Sequence, residues 1–336
     1  MAHAHTNPAR VLGRCIPIVL ALTAAVGTAR AADWTSSFEA IFMDVYGHDP
    51  HVLTILETDP GSVATRTGVA LETESKLAYR GEFQYQREVW GLGIDFSWIT
   101  TGQQLDRSAA ATGAAGDVLF EVAGATFTSS APGENLYFQR LEDTDLNAWA
   151  FDLYAMRRLS GSAASGVAFR FGLRVADFDN DFRAAAGIEG VRGLRIDASS
   201  NYGALRGPLI GLTGRFERGH NVFEASIGQS VVFGEAELSN RRRMFTGSFS
   251  EEPDPAFVSD GTFRMLQDVA IPMTDLRLEW KYRLGRMVAL GLSANASTWW
   301  NVSVPPGVVP AEGSAPALHE NTLVFSGVGA LVEISY

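Results

Sequence analysis

The chain has 336 residues, with 27 Lys and Arg against 38 Asp and Glu, for a formal net charge of −11. An acidic balance of this kind excludes a general polyanion binder, and nucleic acid with it. The single cysteine, Cys15, lies near the N-terminus, so a disulfide framework is excluded as well.

The N-terminus reads as an export leader. "MAHAHTNPARVLGR" carries Arg10 and Arg14 and no acid, "CIPIVLALTAAVG" is a short apolar run, and Ala29-Arg30-Ala31 offers small residues at the cleavage-defining positions. The apolar run is too short to span roughly 30 Å of hydrocarbon as a helix. Cys15 precedes that run and follows Arg14, which argues against a lipoprotein. A secretory signal peptide is therefore expected over 1–31 and a single outer-membrane β-barrel domain over 32–336. Beyond the leader 24 basic residues face 38 acidic ones, a net of −14. No later apolar run approaches the ~18 residues of a transmembrane helix.

From Trp34 onward the chain alternates with period 2, the signature of strands that present unlike faces. In "KLAYRGEFQYQ", Leu77, Tyr79, Phe83 and Tyr85 oppose Lys76, Arg80, Glu82 and Gln84. In "VWGLGIDFSWI", an apolar face of Trp90, Leu92, Ile94, Phe96 and Trp98 opposes Gly91, Gly93, Asp95 and Ser97. "VAFRFGLRV" sets Arg170 and Arg174 against Val167, Phe169, Phe171, Leu173 and Val175. "TDLRLEWKYRL" sets Asp275, Arg277, Glu279, Lys281 and Arg283 against Leu276, Leu278, Trp280, Tyr282 and Leu284. A soluble sandwich also alternates. An apolar face beginning and ending in Trp instead suits a lipid-facing band with aromatic girdles around a polar interior.

Ten strands are expected, near 34–46, 69–86, 89–99, 146–157, 167–177, 205–216, 221–237, 273–284, 287–299 and 321–336. They define an all-β, antiparallel up-and-down transmembrane barrel with long external loops and short periplasmic turns. Eight strands, or twelve using Asp117–Phe127, are the alternatives. An even strand number puts both termini on the periplasmic side. The terminal "VFSGVGALVEISY" closes on Tyr336, an aromatic end that resembles the signal read by the outer-membrane barrel-assembly machinery.

Ten strands about 4.8 Å apart and tilted about 40° enclose a backbone radius of about 10 Å. The charges expected in that lumen are Lys76, Arg80, Glu82, Asp95, Arg170, Arg174, Asp275, Arg277, Glu279, Lys281 and Arg283, joined by Asp152, Arg215, Glu224 and Glu333. They read either as a narrow pathway for small solutes or as paired ions filling the interior, because buried charge must be compensated. The expected girdle is Trp90, Trp98, Trp149, Tyr282, Trp300 and Tyr336.

No catalytic, cofactor or metal motif is present. His48, Asp49 and His51 in the first external loop and His319 with Glu320 in the last are the only groups offering an outer-membrane hydrolase as an alternative. "DFDNDF" (Asp177, Asp179, Asp181) begins like a calcium loop, but Phe182 and Ile188 stand where an EF-hand needs Gly and Glu. Arg241, Arg242 and Arg243 suit lipopolysaccharide phosphates or pairing with Glu251, Glu252 and Asp254. "ENLYFQ" (134–139) matches the recognition site of a potyviral protease. Its alternation and its continuation into "RLEDTDLNAWAFDLY" read as native strand.

"FEAIFMDVYGHDP", "YRGEFQYQREVWGLGIDFSWI", "NYGALRGPLIGLTGRFERGHNVFEASI" and "LEWKYRLGRMVALGLSANASTWW" resemble bacterial outer-membrane barrels related to the pore-forming major-outer-membrane-protein-like family. The resemblance covers most of the mature chain through strand grammar such as "GP…GLTGRF", and it carries over no functional residue. It implies an outer-membrane barrel that forms pores, with outer-membrane lipid and lipopolysaccharide as surroundings and no cofactor. The residues leave oligomeric state open. The functional expectation is a porin-like narrow pore or a structural envelope protein; the alternative is an enzyme or ligand-binding surface barrel acting through its external loops.

Overall fold

The computed structural model describes residues 34–46, 51–58, 65–70, 76–103, 107–113, 116–122, 125–131, 135–162, 164–188, 192–246, 256–302 and 321–336. The expected leader, His48, His319 and Glu251 to Asp254 lie outside the described residues.

Among the described residues the chain runs entirely in strands. The first five are β1 (Trp34–Tyr46), β2 (His51–Thr58), β3 (Thr65–Ala70), β4 (Lys76–Arg87) and β5 (Trp90–Gln103). Next come β6 (Arg107–Gly113), β7 (Gly116–Val122), β8 (Ala125–Ala131), β9 (Asn135–Gly161) and β10 (Ser165–Ile188). The last five are β11 (Arg192–Arg218), β12 (Asn221–Thr246), β13 (Ala256–Arg283), β14 (Val288–Val302) and β15 (Asn321–Ser335). Ten of them, β1, β4, β5 and β9 to β15, pair antiparallel in that order, and β15 returns to β1 to close the barrel. Closure leaves no free edge where all ten strands pair; above Met273, β13 pairs among the described residues only with β12.

The expected strand number and topology hold; the expected twelve-strand variant does not. Residues 116–122 and 125–131 are β7 and β8, which join β2 and β3 in a separate sheet of order β3-β2-β7-β8. That sheet arises from the β1–β4 and β5–β9 connections, opposite the tight turns, and its β7 touches β10.

The tight turns gather at one end with the start of β1 and the end of β15. Glu88, at φ 52°, turns β4 into β5, and Gly219, at φ 63°, turns β11 into β12. The Tyr336 N–H donates to the Trp34 carbonyl at 2.9 Å, which ties the last residue to the first strand.

At the other end the strands outrun the sequence reading. β9 to β13 are 24–28 residues long, whereas the remaining barrel strands have 12–15. A tilted strand of 27 residues climbs about 65–70 Å, well beyond an apolar band about 25 Å tall. Much of the expected loops at 100–145, 178–204 and 238–272 is therefore strand, built into a wall on one side of the mouth. "DFDNDF" and Arg241 to Arg243 lie within β10 and β12 and not in loops.

A bulge explains where the reading stopped. Between Gly203 and Arg206 the β11–β12 register shifts, and Ala204 adopts φ 50°. Leu205 and Leu209 are buried below the shift, whereas Tyr202, Ser200 and Ala198 are buried above it. The inward-facing positions thus change from odd to even, which breaks the alternation on which a strand assignment rests.

"ENLYFQ" occupies the start of β9 from Asn135, with backbone pairing on both sides: Gln139 lies opposite Ala109 of β6 and Ala186 of β10. A protease must draw its substrate into an extended, unpaired conformation. The potyviral protease is therefore expected to cut the folded protein at Gln139 far more slowly than the urea-unfolded chain. Equal cleavage rates on a gel time course would contradict the paired strand.

Candidate functional site

The site is the barrel interior. Strand parity decides its content: β13 turns Asp275, Arg277, Glu279, Lys281 and Arg283 inward in succession, and its neighbours supply opposite charges at the same height.

Nearest the tight turns, the Lys281 ammonium donates to Glu333 at 2.5 Å and Glu224 at 3.1 Å, and pairs with Glu279 at 2.8 Å. Arg283 grips Glu217 with two hydrogen bonds of 2.7 and 2.9 Å, and Arg215 holds the same carboxylate at 2.8 Å.

In the middle, Arg277 reaches three strands. It donates to Glu39 at 2.9 Å and Glu82 at 3.0 Å, and pairs with Glu279. Asn295 donates to Glu39 at 2.7 Å, and Ser293 does so beside it. The Tyr154 hydroxyl donates to Glu82 at 2.6 Å.

Above this, Arg174 donates twice to Asp152 at 2.7 Å and pairs with Asp275 at 2.5 Å. Arg80 donates through Nε to both Asp95 oxygens, at 2.9 and 3.0 Å. Ion pairs this buried repay their desolvation only when every lone pair and proton is used, and these carboxylates largely meet that condition.

Over the charged layers lies an apolar one, built from Ile41, Met43, Leu146, Phe178, Trp299 and Phe325 among others. Trp299 is 4% exposed, with its ring centroid 5.5 Å from Phe325 and 6.2 Å from Phe178. Its indole N–H donates to Ser297 at 3.0 Å, which ties this layer to the polar one below.

The structure places Arg80, Glu82, Asp95, Arg170, Arg174, Asp275, Arg277, Glu279, Lys281 and Arg283 on the inward face, while Lys76 lies opposite the buried Met43 at the far end. Sequence reasoning missed Glu39 and Tyr154, although both sit at the centre of the network, 0% and 2% exposed. Their signal was available: Glu39 shares the parity of Ile41 and Met43, and Tyr154 that of Asp152.

The six girdle residues lie on outward positions at two levels. Trp90, Tyr282 and Tyr336 stand near the tight turns, and Trp98 lies directly opposite Trp149 in register toward the far end. Trp300 stands at that far level on β14. Tyr79 stacks on Trp98 at 6.1 Å, and Arg157 covers the Trp90 ring at 5.4 Å. Trp34 against Tyr85, at 4.5 Å, adds a pair not expected from the sequence.

His220 sits in the tight turn beside Tyr282, remote from the outer end where the hydrolase alternative places its histidines. Among the described residues no cluster fit to hold a metal ion occurs, and Asp177, Asp179 and Asp181 line one outward face of a strand instead of a calcium loop.

Gly93 lies opposite Tyr154, and an added Cβ there would fall 2.3 Å from the Tyr154 ring. The glycine thus creates the slot that lets the phenol reach Glu82. Tyr154→Phe is expected to cost about 1–3 kcal/mol by leaving a buried carboxylate short of a donor. Gly93→Val should cost more, through ring displacement. Urea unfolding in detergent checks both, and equal costs would contradict the slot.

No protein-family model and no curated protein sequence matches the chain. Among solved structures it is similar to the outer membrane protease OmpT from Escherichia coli, at 12% identity and a TM-score of 0.51, covering 93% of this chain and 100% of that one. The toluene transporter TbuX of Ralstonia pickettii is more distant, at 8% identity and a TM-score of 0.33, with 92% and 90% covered. The class that fold and site define is a closed ten-stranded antiparallel β-barrel of outer-membrane type. With no family model matching, the pore-forming family suggested by strand grammar is not confirmed.

Proposed function

We propose that the chain is an outer-membrane β-barrel exported by a cleaved leader, closed to bulk diffusion, and working as a structural envelope protein. One observation carries this reading: the barrel is inside out. Leu92, Leu173 and Val328 are 60–63% exposed on the outside, while Glu39, Arg277 and Lys281 are 0–6% exposed and ion-paired within. An apolar ring of that extent is untenable in water and natural in lipid. The two aromatic levels then stand at the two interfaces, with lipid and lipopolysaccharide as surroundings. The β15 end docked beside β1 is the segment offered to the barrel-assembly machinery.

Of the two expectations for the lumen, pore or filling, the geometry favours filling. Wild-type protein in planar bilayers is expected to give no stepwise conductance. Regular steps from correctly folded barrel would overturn the closed reading and restore the narrow pore.

A ligand-binding surface barrel remains the second reading, favoured by one observation. Asn180, Ser200 and Asn240, on neighbouring strands of the far wall, are 0–2% exposed and keep side-chain polar atoms without hydrogen-bond partners. Such atoms are the kind a bound polar molecule satisfies.

A further inference from the structure

Between the charged and apolar layers lies a cavity of about 80 Å³. Its lower wall includes Arg80, Arg174, Arg277 and Asp275, and its upper wall includes Ile41, Met43 and Trp299. Three of its four arginines are neutralised: Arg80 by Asp95, Arg174 by Asp152 and Asp275, and Arg277 by Glu39, Glu82 and Glu279.

Arg170 is the exception. Among the described residues it has no carboxylate within ion-pair distance, and its guanidinium lies over the Tyr154 ring, 5.3 Å from the centroid. Gly211, also in the cavity wall, leaves it room: a Cβ there would come 3.6 Å from Arg170 Nε. A cation inside low-dielectric walls attracts a counter-anion strongly, and a second cation entering here would be repelled. The wall carboxylates Asp95, Asp152 and Asp275 are engaged by Arg80 and Arg174, which leaves the Arg170 donors open to an anion from outside the chain.

We infer that this cavity is a binding site for a short-chain monocarboxylate, its carboxylate on Arg170 and its alkyl end against Trp299 and Ile41. The size fits. A cavity needs about 10–15 Å³ on this measure to hold one water, so the space takes several waters or a small organic anion such as acetate or propionate. The half-apolar lining favours a carboxylate with a carbon tail over a hydrated inorganic ion. A guanidinium matches a carboxylate's two oxygens in one plane. The inference requires only the folded barrel, and it stands whether or not the lumen conducts.

Equilibrium dialysis of radiolabelled propionate against the purified full-length barrel in nonionic detergent, at fixed ionic strength, tests it. The expected result is saturable binding with competition by acetate. Arg170→Gln should weaken binding by about tenfold or more, the scale of a lost charge-assisted contact. Gly228→Val attacks the site independently. An added Cβ at Gly228 meets only ordinary contacts at 3.8 Å, so the barrel tolerates it while the branched side chain takes up the cavity. Binding should then be lost from protein that still resists unfolding by detergent at room temperature. If Arg170→Gln does not fold, Gly228→Val decides. The inference is overturned if wild-type protein shows no saturable binding, if a folded variant binds like wild type, or if chloride competes as well as acetate.

Discussion

Replacing Arg277 by Met is expected to remove about 3–5 kcal/mol of unfolding free energy, the cost of leaving buried charge without its partner. The size follows from geometry. Arg277 is 6% exposed and joins Glu39 of β1, Glu82 of β4 and Glu279 of its own strand, so its loss takes the ion-pair partner from Glu39 and Glu82 and leaves Glu279 to Lys281 alone. Urea titration of the folded barrel, by intrinsic fluorescence, measures the loss. The carboxylates interact through one guanidinium, so the substitutions are strongly non-additive. Glu39→Gln and Glu82→Gln on the Arg277→Met background should recover much of the loss, although either is destabilising alone. Arg264→Met is the control: Arg264 pairs with Glu237 at 2.6 Å, but its side chain is 55% exposed, so about 0–1 kcal/mol is expected. Because the Arg277 pairs are shielded from solvent, high salt should leave their contribution nearly unchanged while erasing the Arg264 pair. A cost for Arg277→Met no larger than the control would mean that water reaches the network and that the lumen is not filled.

The sequence announced the barrel in its membrane segment because there the two faces differ most. In β5, Trp90 to Trp98 alternate with Gly91 to Ser97 without a break, and in β13 every inward residue from Asp275 to Arg283 is charged. Charge says which way a side chain points, but not whom it meets. That Arg277 would find Glu39, 238 residues away, depends on closure of the barrel, which no local pattern encodes.

The far wall was hidden for a different reason. Above the lipid level both faces of a strand meet polar surroundings or other protein, so Asp177, Asp179 and Asp181 read as a loop although they are one face of β10. The bulge at Ala204 compounds this. Asp177 accepts a hydrogen bond from the Ala204 N–H at 3.3 Å, which holds the shift that reverses parity and makes continuous strand look like its end. Arg243, read from the sequence as a loop residue suited to phosphates or to nearby acids, lies in β12 and meets Asp197 of β11 at 2.5 Å across the sheet. Neighbours in a barrel wall are set by register, and register depends on the bulges.

Trp299→Ala is expected to cost about 3–5 kcal/mol, the usual price of truncating a large buried aromatic, and yet to leave planar bilayers silent. The stability loss follows from its place between Phe178 and Phe325 and from its bond to Ser297. The silence follows from the arrangement of the lumen in series. Removing the indole enlarges the cavity upward, but an ion that enters still meets the Arg174–Asp152–Asp275 and Arg80–Asp95 clusters, whose arginine donors are engaged with each other's neighbouring carboxylates. Passage would require breaking those pairs, whereas the apolar layer needs only to be wetted. Conduction should therefore appear only when both layers are thinned, for example in Trp299→Ala with Arg174→Ser and Asp152→Ser, which removes a paired cation and anion together and leaves Asp275 bonded to Ser297 at 2.6 Å. Comparing single-channel records of the two variants separates the layers. Steps in Trp299→Ala alone would show that the apolar layer is the sole barrier and that the charged network below it already conducts.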